Sequence, residues 1–216
     1  MEDISKMSCV DCSVGNCNFM DKSFPQFCPT VNTIDEEKRD EIKNVYEEEE
    51  NRKCMLSAAM VEYEGYGKTT RIEEIMEFAR KMGFKKIGIA NCLGLIKEAG
   101  TLGKILRYNG FEVVGYGCKI GCIPKVEIGI PEECNAVGKN ICNPILQAKM
   151  LNEAKTELNI VVGLCVGHDS LFYKYSDALV TTAVTKDRIL GHNPVAALYG
   201  ADFYFKKRMY PPKEDK

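Results

Sequence analysis

The 216-residue chain carries 29 basic and 31 acidic side chains, a formal charge of -2, with 45% hydrophobic and 28% charged residues. That composition belongs to a folded globular protein, long enough for one moderate α/β domain with a small appendage and too short for two full domains. No basic stripe with interleaved aromatics occurs, so nucleic acid is not an expected partner. No apolar run approaches the roughly 20 residues that a membrane helix needs, so no membrane is expected either.

In chain order, the opening MEDISKMSCVDC is acidic and polar and lacks the apolar core of a secretory signal, so a cytoplasmic location is expected. Reducing cytosol disfavours structural disulfides, and an odd count of 11 cysteines argues against a fully paired framework. Clustered thiols in that setting bind metal or do redox chemistry more often than they pack as bystanders. Cys9, Cys12, Cys17 and Cys28, the last followed by Pro29, form a ligand layout in which a C-x-x-C turn is completed by two later cysteines. Gly15, Asn16, Asn18, Pro25 and Pro29 make the segment loop-rich, with too few apolar residues for a core of its own. A metal would supply the missing cross-link, since binding free energy becomes folding free energy in such segments. The bland alternative is a disordered tail with incidental thiols. Spacing leaves zinc and an iron–sulfur cluster both open.

DEEKRDEIKNVYEEEE (35–50) reads as an exposed acidic helix, and a second helix is expected over 51–63. EGYGK breaks it, and TRIEEIMEFARKMG resumes with Ile72, Ile75, Met76 and Ala79 at helical spacing, ended by Gly83. KKIGIA (85–90) is a short apolar strand, GLIKEAGTLGKILRYNG an amphipathic helix closed by Gly110, and FEVVGYG (111–117) a second strand. After a Gly/Pro-punctuated loop, NPILQAKMLNEAKTE forms a helix with Asn143 as N-cap and Pro144 in its first turn. NIVVGL (159–164) and ALVTTAV (178–184) are further strands. His192-Asn193-Pro194 repeats the Asn-Pro helix start, and ADFYF near the end reads as an edge strand. Strand–helix alternation with continuous apolar strands predicts a parallel sheet covered on both faces, and the crossover rule then gives an α/β, Rossmann-like three-layer fold. The expected division is a cysteine-rich metal-binding module over 1–34 and, over 35–216, a helical lead-in with the Rossmann-like domain.

In such sheets ligands gather beyond the carboxyl ends of the strands. Cys92, Cys118 and Cys165 each fall there, and Cys142 precedes the Asn143 cap of a helix leading back into the sheet. Parallel strands put the first three on one edge, which predicts a second metal site on Cys92, Cys118, Cys142 and Cys165. A helix N-terminus favours the thiolate that a metal requires. Burial under the covering helices is the plainer alternative. Cys122 and Cys134 lie between Cys118 and Cys142 and could replace or support a member, while Cys54 reads as a packing residue. In GLCVGHDSLFYKYS, His168 and Asp169 follow a strand end beside Gly163 and Gly167. Asp169 or Ser170 could simply cap the helix LFYKY. His168 and His192 are the chain's 2 histidines, and a cluster ligand, proton donor or substrate-binding cation are open roles for both. Lys186 and Arg188 could bind an anion, although exposed basic residues usually just solvate a loop.

Three motifs fail. GYGKTT (65–70) lacks the first glycine of a phosphate-binding loop, Glu62 standing in its place, and no strand precedes it. GYGCKIG (115–121) spaces its glycines one residue too far for a dinucleotide fingerprint. No G-x-S-x-G nucleophile elbow is present.

CVDCSVGNC with DKSFPQFC, TRIEEIMEFARKMGFKKIGIANC, CNPILQAKMLNEAKTELNIVVGLCVGHDSLFYKYS and KDRILGHNP resemble the DUF1847 family of predicted metal-binding proteins. The resemblance covers nearly the whole chain. It implies a prokaryotic, usually anaerobe-associated protein with Cys9, Cys12, Cys17 and Cys28 as ligands. It also places Cys92, Cys118, Cys142 and Cys165 in the family pattern, with Cys122 less typical, and it supplies no reaction.

The expectation is an iron–sulfur protein, redox-active, with [4Fe-4S] clusters on both cysteine sets and His168 and Asp169 handling protons beside a small-molecule substrate or redox partner. Two rivals stand beside it. One is a structural-zinc protein with Cys165 as a thiol-enzyme nucleophile near His168. The other is a non-catalytic metal sensor or carrier that uses its acidic helices as a partner face.

Overall fold

The computed structural model describes residues 4–19 and 23–212, so Met20, Asp21 and Lys22 of the cysteine-rich segment lie outside the described residues, as do 1–3 and 213–216. The chain forms two compact units, 1–60 and 61–216. In the first, short 3-10 turns at Ile4–Lys6, Cys9–Asp11 and Asn16–Asn18 lead to α1 (Pro29–Asn32), α2 (Glu36–Glu47) and the start of α3 (Glu49–Gly65). Asp35 caps α2 by accepting the Lys38 N–H at 2.8 Å, so the expected acidic helix begins one residue after its cap.

In the second unit, α4 (Arg71–Met82) starts at a capping box, where Thr70 N–H donates to Glu73 Oε2 at 2.7 Å. It stops at Gly83, whose φ of 76° no other residue type takes as readily. Then come β1 (Lys86–Asn91), α5 (Ile96–Tyr108), β2 (Glu112–Gly117), α6 (Pro144–Glu153), β3 (Leu158–Val162), α7 (His168–Tyr175) and β4 (Leu179–Val184). The four strands are all parallel, in the order β2-β1-β3-β4. The Asn143 side chain caps α6 by accepting the Leu146 N–H at 3.1 Å.

Strand alternation sorts the core into two sides. Ile87 and Ile89 of β1, with Leu158, Ile160 and Val162 of β3, pack against Ile75, Met76 and Ala79 of α4 and Ala99, Leu102 and Leu106 of α5. Ala90 and Val161 face the other way, onto Ala148 and Leu151 of α6 and Phe172 of α7. The result is a Rossmann-like three-layer α/β fold. The polar Asn159 is fully buried on that second side, where Thr156 Oγ1 donates to it at 2.8 Å and it donates to Ser176 Oγ at 2.8 Å. Its satisfied bonds make its burial tolerable.

Two sequence expectations are corrected. The segment 201–205 is a turn rather than an edge strand, because Phe203 and Phe205 N–H both fold back to the Gly200 carbonyl, at 3.1 and 3.0 Å. α7 begins after Gly167 with no side-chain cap, and the Asp169 carboxylate instead accepts the Ser170 N–H at 2.8 Å. α8 (Val195–Tyr199) follows Pro194, as the Asn-Pro pair suggests, though the Asn193 side chain does not cap it, and α9 is Lys206–Met209. Among the described residues, no helix is long and apolar enough to cross a membrane.

Candidate functional site

The strand order reverses between β1 and β3: the chain moves from β1 to β2 on one side, then returns to build β3 and β4 on the other. Loops leaving the sheet diverge at such a switch point and open a crevice at the carboxyl edge. Cys92 follows β1 directly, Cys118 follows β2 directly, and Cys165 follows β3 after Gly163 and Leu164. The ladder carries on past the strand ends. Cys92 N–H donates to the Val162 carbonyl at 3.1 Å, Cys118 N–H to the Asn91 carbonyl at 2.8 Å, and Asn143 N–H to the Cys118 carbonyl at 2.7 Å. The last bond brings Cys142, distant in sequence, alongside Cys118.

Cys92 and Cys118 belong to one buried cluster with Cys142 packed against it, and Cys118 influences the ionisation of both others. The Cys118 side chain pulls the Cys92 and Cys142 thiols well below the usual range. Cys92 is also helped by the Gly94 N–H and Lys186, and Cys142 by Lys119 and His168. The Cys118 thiol moves the opposite way, because two neighbouring sulfurs and burial oppose its ionisation. The three thiols titrate together rather than singly. The Leu93 N–H, at the entry to α5, donates to Cys118 Sγ at 3.3 Å.

Cys165 meets a cation rather than a thiol: Arg188 Nη2 donates to its sulfur at 2.9 Å, and the guanidinium also feels the charges of Cys92 and Cys142. Lys186 comes from the same loop after β4. A β-carbon placed on Gly94 would lie 3.6 Å from Lys186 Nζ and 3.9 Å from Cys92 Sγ, which sets that ammonium beside that sulfur. The lysine stem runs past Gly163, whose φ of 62° turns the chain out of β3 and whose missing side chain leaves room for Leu95. Lys186 and Arg188, read from the sequence as anion ligands, thus have thiols as neighbours.

His168 acts on Cys142, and its Nδ1 is buried with no hydrogen-bond partner among the described residues. His192 lies elsewhere in function: at a φ of 67°, its Nδ1 accepts the Asp187 N–H at 3.1 Å and closes the 187–192 turn. Asp169 contributes to the first turn of α7. Cys122 and Cys134 are exposed, and Cys54 is half-buried on α3.

In the N-terminal unit Cys9 and Cys17 are exposed, Cys12 is half-buried and Cys28 is buried. The Gly15 and Val14 N–H groups lower the Cys12 thiol. Among the described residues, no three His, Cys, Asp or Glu side chains stand around a common point that a single metal ion could take. Both expected sets therefore supply sulfur donors without a ready-made single-ion cage.

Two supporting residues escaped the sequence reading. Lys119, next to Cys118, lies by Cys142 and donates to the Asn140 carbonyl at 2.6 Å. Fully buried Gln147 donates to the Asn91 and Tyr116 carbonyls at 3.2 and 2.6 Å, tying α6 to the ends of β1 and β2, while its Oε1 has no partner among the described residues. An amide on the apolar face of a helix, beside Ala148 and Leu151, was the available signal.

The family model described as "Protein of unknown function (DUF1847)" matches residues 28–183. An uncharacterized protein of Methanocaldococcus jannaschii is 48% identical over 162 residues, which cover 75% of this chain and 83% of the relative. The chain belongs to the DUF1847 family.

Proposed function

We propose that this member of the family is a cytoplasmic iron–sulfur protein whose body centre is held by Cys92, Cys118, Cys142 and Cys165, with a second centre on Cys9, Cys12, Cys17 and Cys28. The observation that carries the reading is the gathering of Cys92, Cys118 and Cys142, from separate loops, in one cluster at the topological switch point. The donor chemistry fits a cluster: soft sulfurs, two of them acidified, with backbone N–H groups and three cations facing them. A single tetrahedral zinc needs all its ligands about 2.0–2.3 Å from one point. A four-iron cluster instead takes thiolates on separate irons and tolerates a spread-out donor set.

When bound, such a cluster supplies one-electron chemistry. The chain's own residues do the rest. The Leu93 N–H bonds a ligand sulfur, which tunes potential. Arg188, Lys186 and Lys119 offset the negative charge of gathered thiolates. His168, whose buried Nδ1 has no partner among the described residues, favours ionisation of Cys142.

The test is to purify the chain without oxygen and quantify iron, acid-labile sulfide and zinc. About eight irons per chain, in two four-iron clusters, are expected. A chain that carries neither iron nor sulfide after anaerobic reconstitution overturns the reading, and zinc without iron moves it to a structural-zinc protein.

A further inference from the structure

Two runs of like charge stand on exposed surface with no compensating charge from the rest of the chain. Glu47, Glu48, Glu49 and Glu50, at the junction of α2 and α3, are all exposed. Glu47 ends α2, where the negative pole of the helix opposes a carboxylate, and the last turn of α2 holds no basic residue. Val45 and Tyr46, just before the run, are exposed apolar side chains. Near the other end of the chain, Lys206, Lys207 and Arg208 line the exposed α9. The turn that leads into α9 sorts its aromatics. The Phe205 ring lies where a β-carbon on Gly200 would come within 2.8 Å of it, whereas Phe203 and Tyr204 point outward, 78% and 95% exposed. Arg208 lies over the Phe205 ring at 5.6 Å, so cation and aromatics share one surface. Among the described residues, no ion pair engages either run.

We propose that the basic, aromatic segment 203–210 of one copy docks on the acidic α2–α3 junction of a second copy, so that the protein is a homodimer. Charge complementarity selects this occupant. The three cations meet four carboxylates, and the outward rings meet Val45 and Tyr46, so each surface finds on the other copy the chemistry it lacks on its own. Exposed ion pairs stabilise little one by one. The aromatic rings therefore supply most of the contact area, and the charges fix which surface meets which. A two-fold dimer makes the contact twice, because the segment of each copy reaches the junction of the other. The proposal is independent of the iron–sulfur reading, since no cysteine enters the contact.

The full-length chain, purified without oxygen and kept in reductant so that no disulfide joins copies, is sedimented over a dilution series. A species of twice the 24.2 kDa chain mass is expected. Its dissociation constant should rise about tenfold between about 0.1 M and about 1 M salt, as the screening length falls from about 10 Å to about 3 Å. Lys206→Glu with Lys207→Glu should give a monomer. So should Glu47→Lys with Glu49→Lys, a pair that spares Glu48 because it accepts from Asn51 Nδ2 at 3.0 Å. The two variants mixed should recover the dimer, because each then offers the charge the other lacks. In a mixture of isotope-light and isotope-heavy chains, amine-to-carboxylate coupling should join Lys206 or Lys207 to a carboxylate of 47–50 across isotopes. A monomer at every concentration, including one that binds anionic phospholipid vesicles instead, overturns the proposal. A dimer indifferent to salt or to either reversal, or coupling confined to one isotope, overturns it as well. Because the wild-type salt series needs no variant, a misfolded variant leaves the test intact. Metal content is read on the same preparation, so the two readings fail separately.

Discussion

In the N-terminal unit the cysteines are close in sequence and linked by 3-10 turns, two of them exposed, so little besides the local chain sets their sulfurs. In the body, Cys92, Cys118, Cys142 and Cys165 come from separate loops, and hydrogen bonds running on from a four-stranded sheet hold Cys92, Cys118 and the residue after Cys142. Under the iron–sulfur reading, the first arrangement depends on what binds it. The second is built by topology and exists whether or not anything binds. Proximity in sequence is thus the poorer guide to a preformed site, because a short loop has too few buried contacts to offset its ordering entropy.

Two glycines beside the two sets put the largest number on that difference. Gly163 has a φ of 62°, and a β-carbon there would lie 1.9 Å from Leu95 Cδ1, inside the core. Gly15 has a similar φ of 58° but nothing within 4 Å of its β-carbon position. Gly163→Ala combines strained backbone with overpacking and should cost about 3–5 kcal/mol. Gly15→Ala carries the backbone term alone and should cost about 1 kcal/mol, confined to the first unit. Urea unfolding followed by circular dichroism measures the first, and limited proteolysis near residue 15 the second. Equal losses of the global midpoint would erase the distinction.

Metal loading sharpens it next. Under the iron–sulfur reading, Cys118→Ser and Cys17→Ser should each remove about four irons per chain, while Cys54→Ser removes none. Chelation should then open the segment 1–34 to protease and leave the body's helical signal unchanged, since the core on the α4 and α5 side contains no cysteine. Loss of body structure on chelation would mean that the sheet edge also depends on metal.

Much of this body was legible in advance. Short continuous apolar runs located four strands to within a residue or two, as KKIGIA against Lys86–Asn91 illustrates. The strand-end rule pointed to Cys92, Cys118 and Cys165, and the helix start after Cys142 to a fourth; all four border one cluster, with Cys165 facing Arg188. ADFYF misled because its alternating aromatics imitate a strand, although Gly200 turns the chain back before it can pair. What sequence could not give was the partner of each charge. Arg188 on Cys165, and Lys186 on Cys92, depend on how the loop after β4 folds over the edge, and loops carry no periodicity to read.

The smallest effect comes from a capping pair that both units share. Thr70 N–H donates to the Glu73 carboxylate at 2.7 Å, and Ser8 N–H donates to the Asp11 carboxylate at 2.7 Å. Thr70→Ala should lower body stability by about 1 kcal/mol, because α4 packs its buried face on the sheet and its first turn counts toward the whole. Ser8→Ala should leave the body's midpoint where it was. The hydrogen bonds from Thr70, side chain first and then backbone, hold the Glu73 pKa below its ordinary value. A carboxyl depressed on folding contributes stability above its unfolded pKa and loses it as pH falls through the folded one. The Thr70→Ala deficit should therefore shrink as the medium is acidified through the carboxylate range, and Glu73→Gln should flatten that slope. A deficit that stays constant with pH would assign the cap's contribution to the hydroxyl alone.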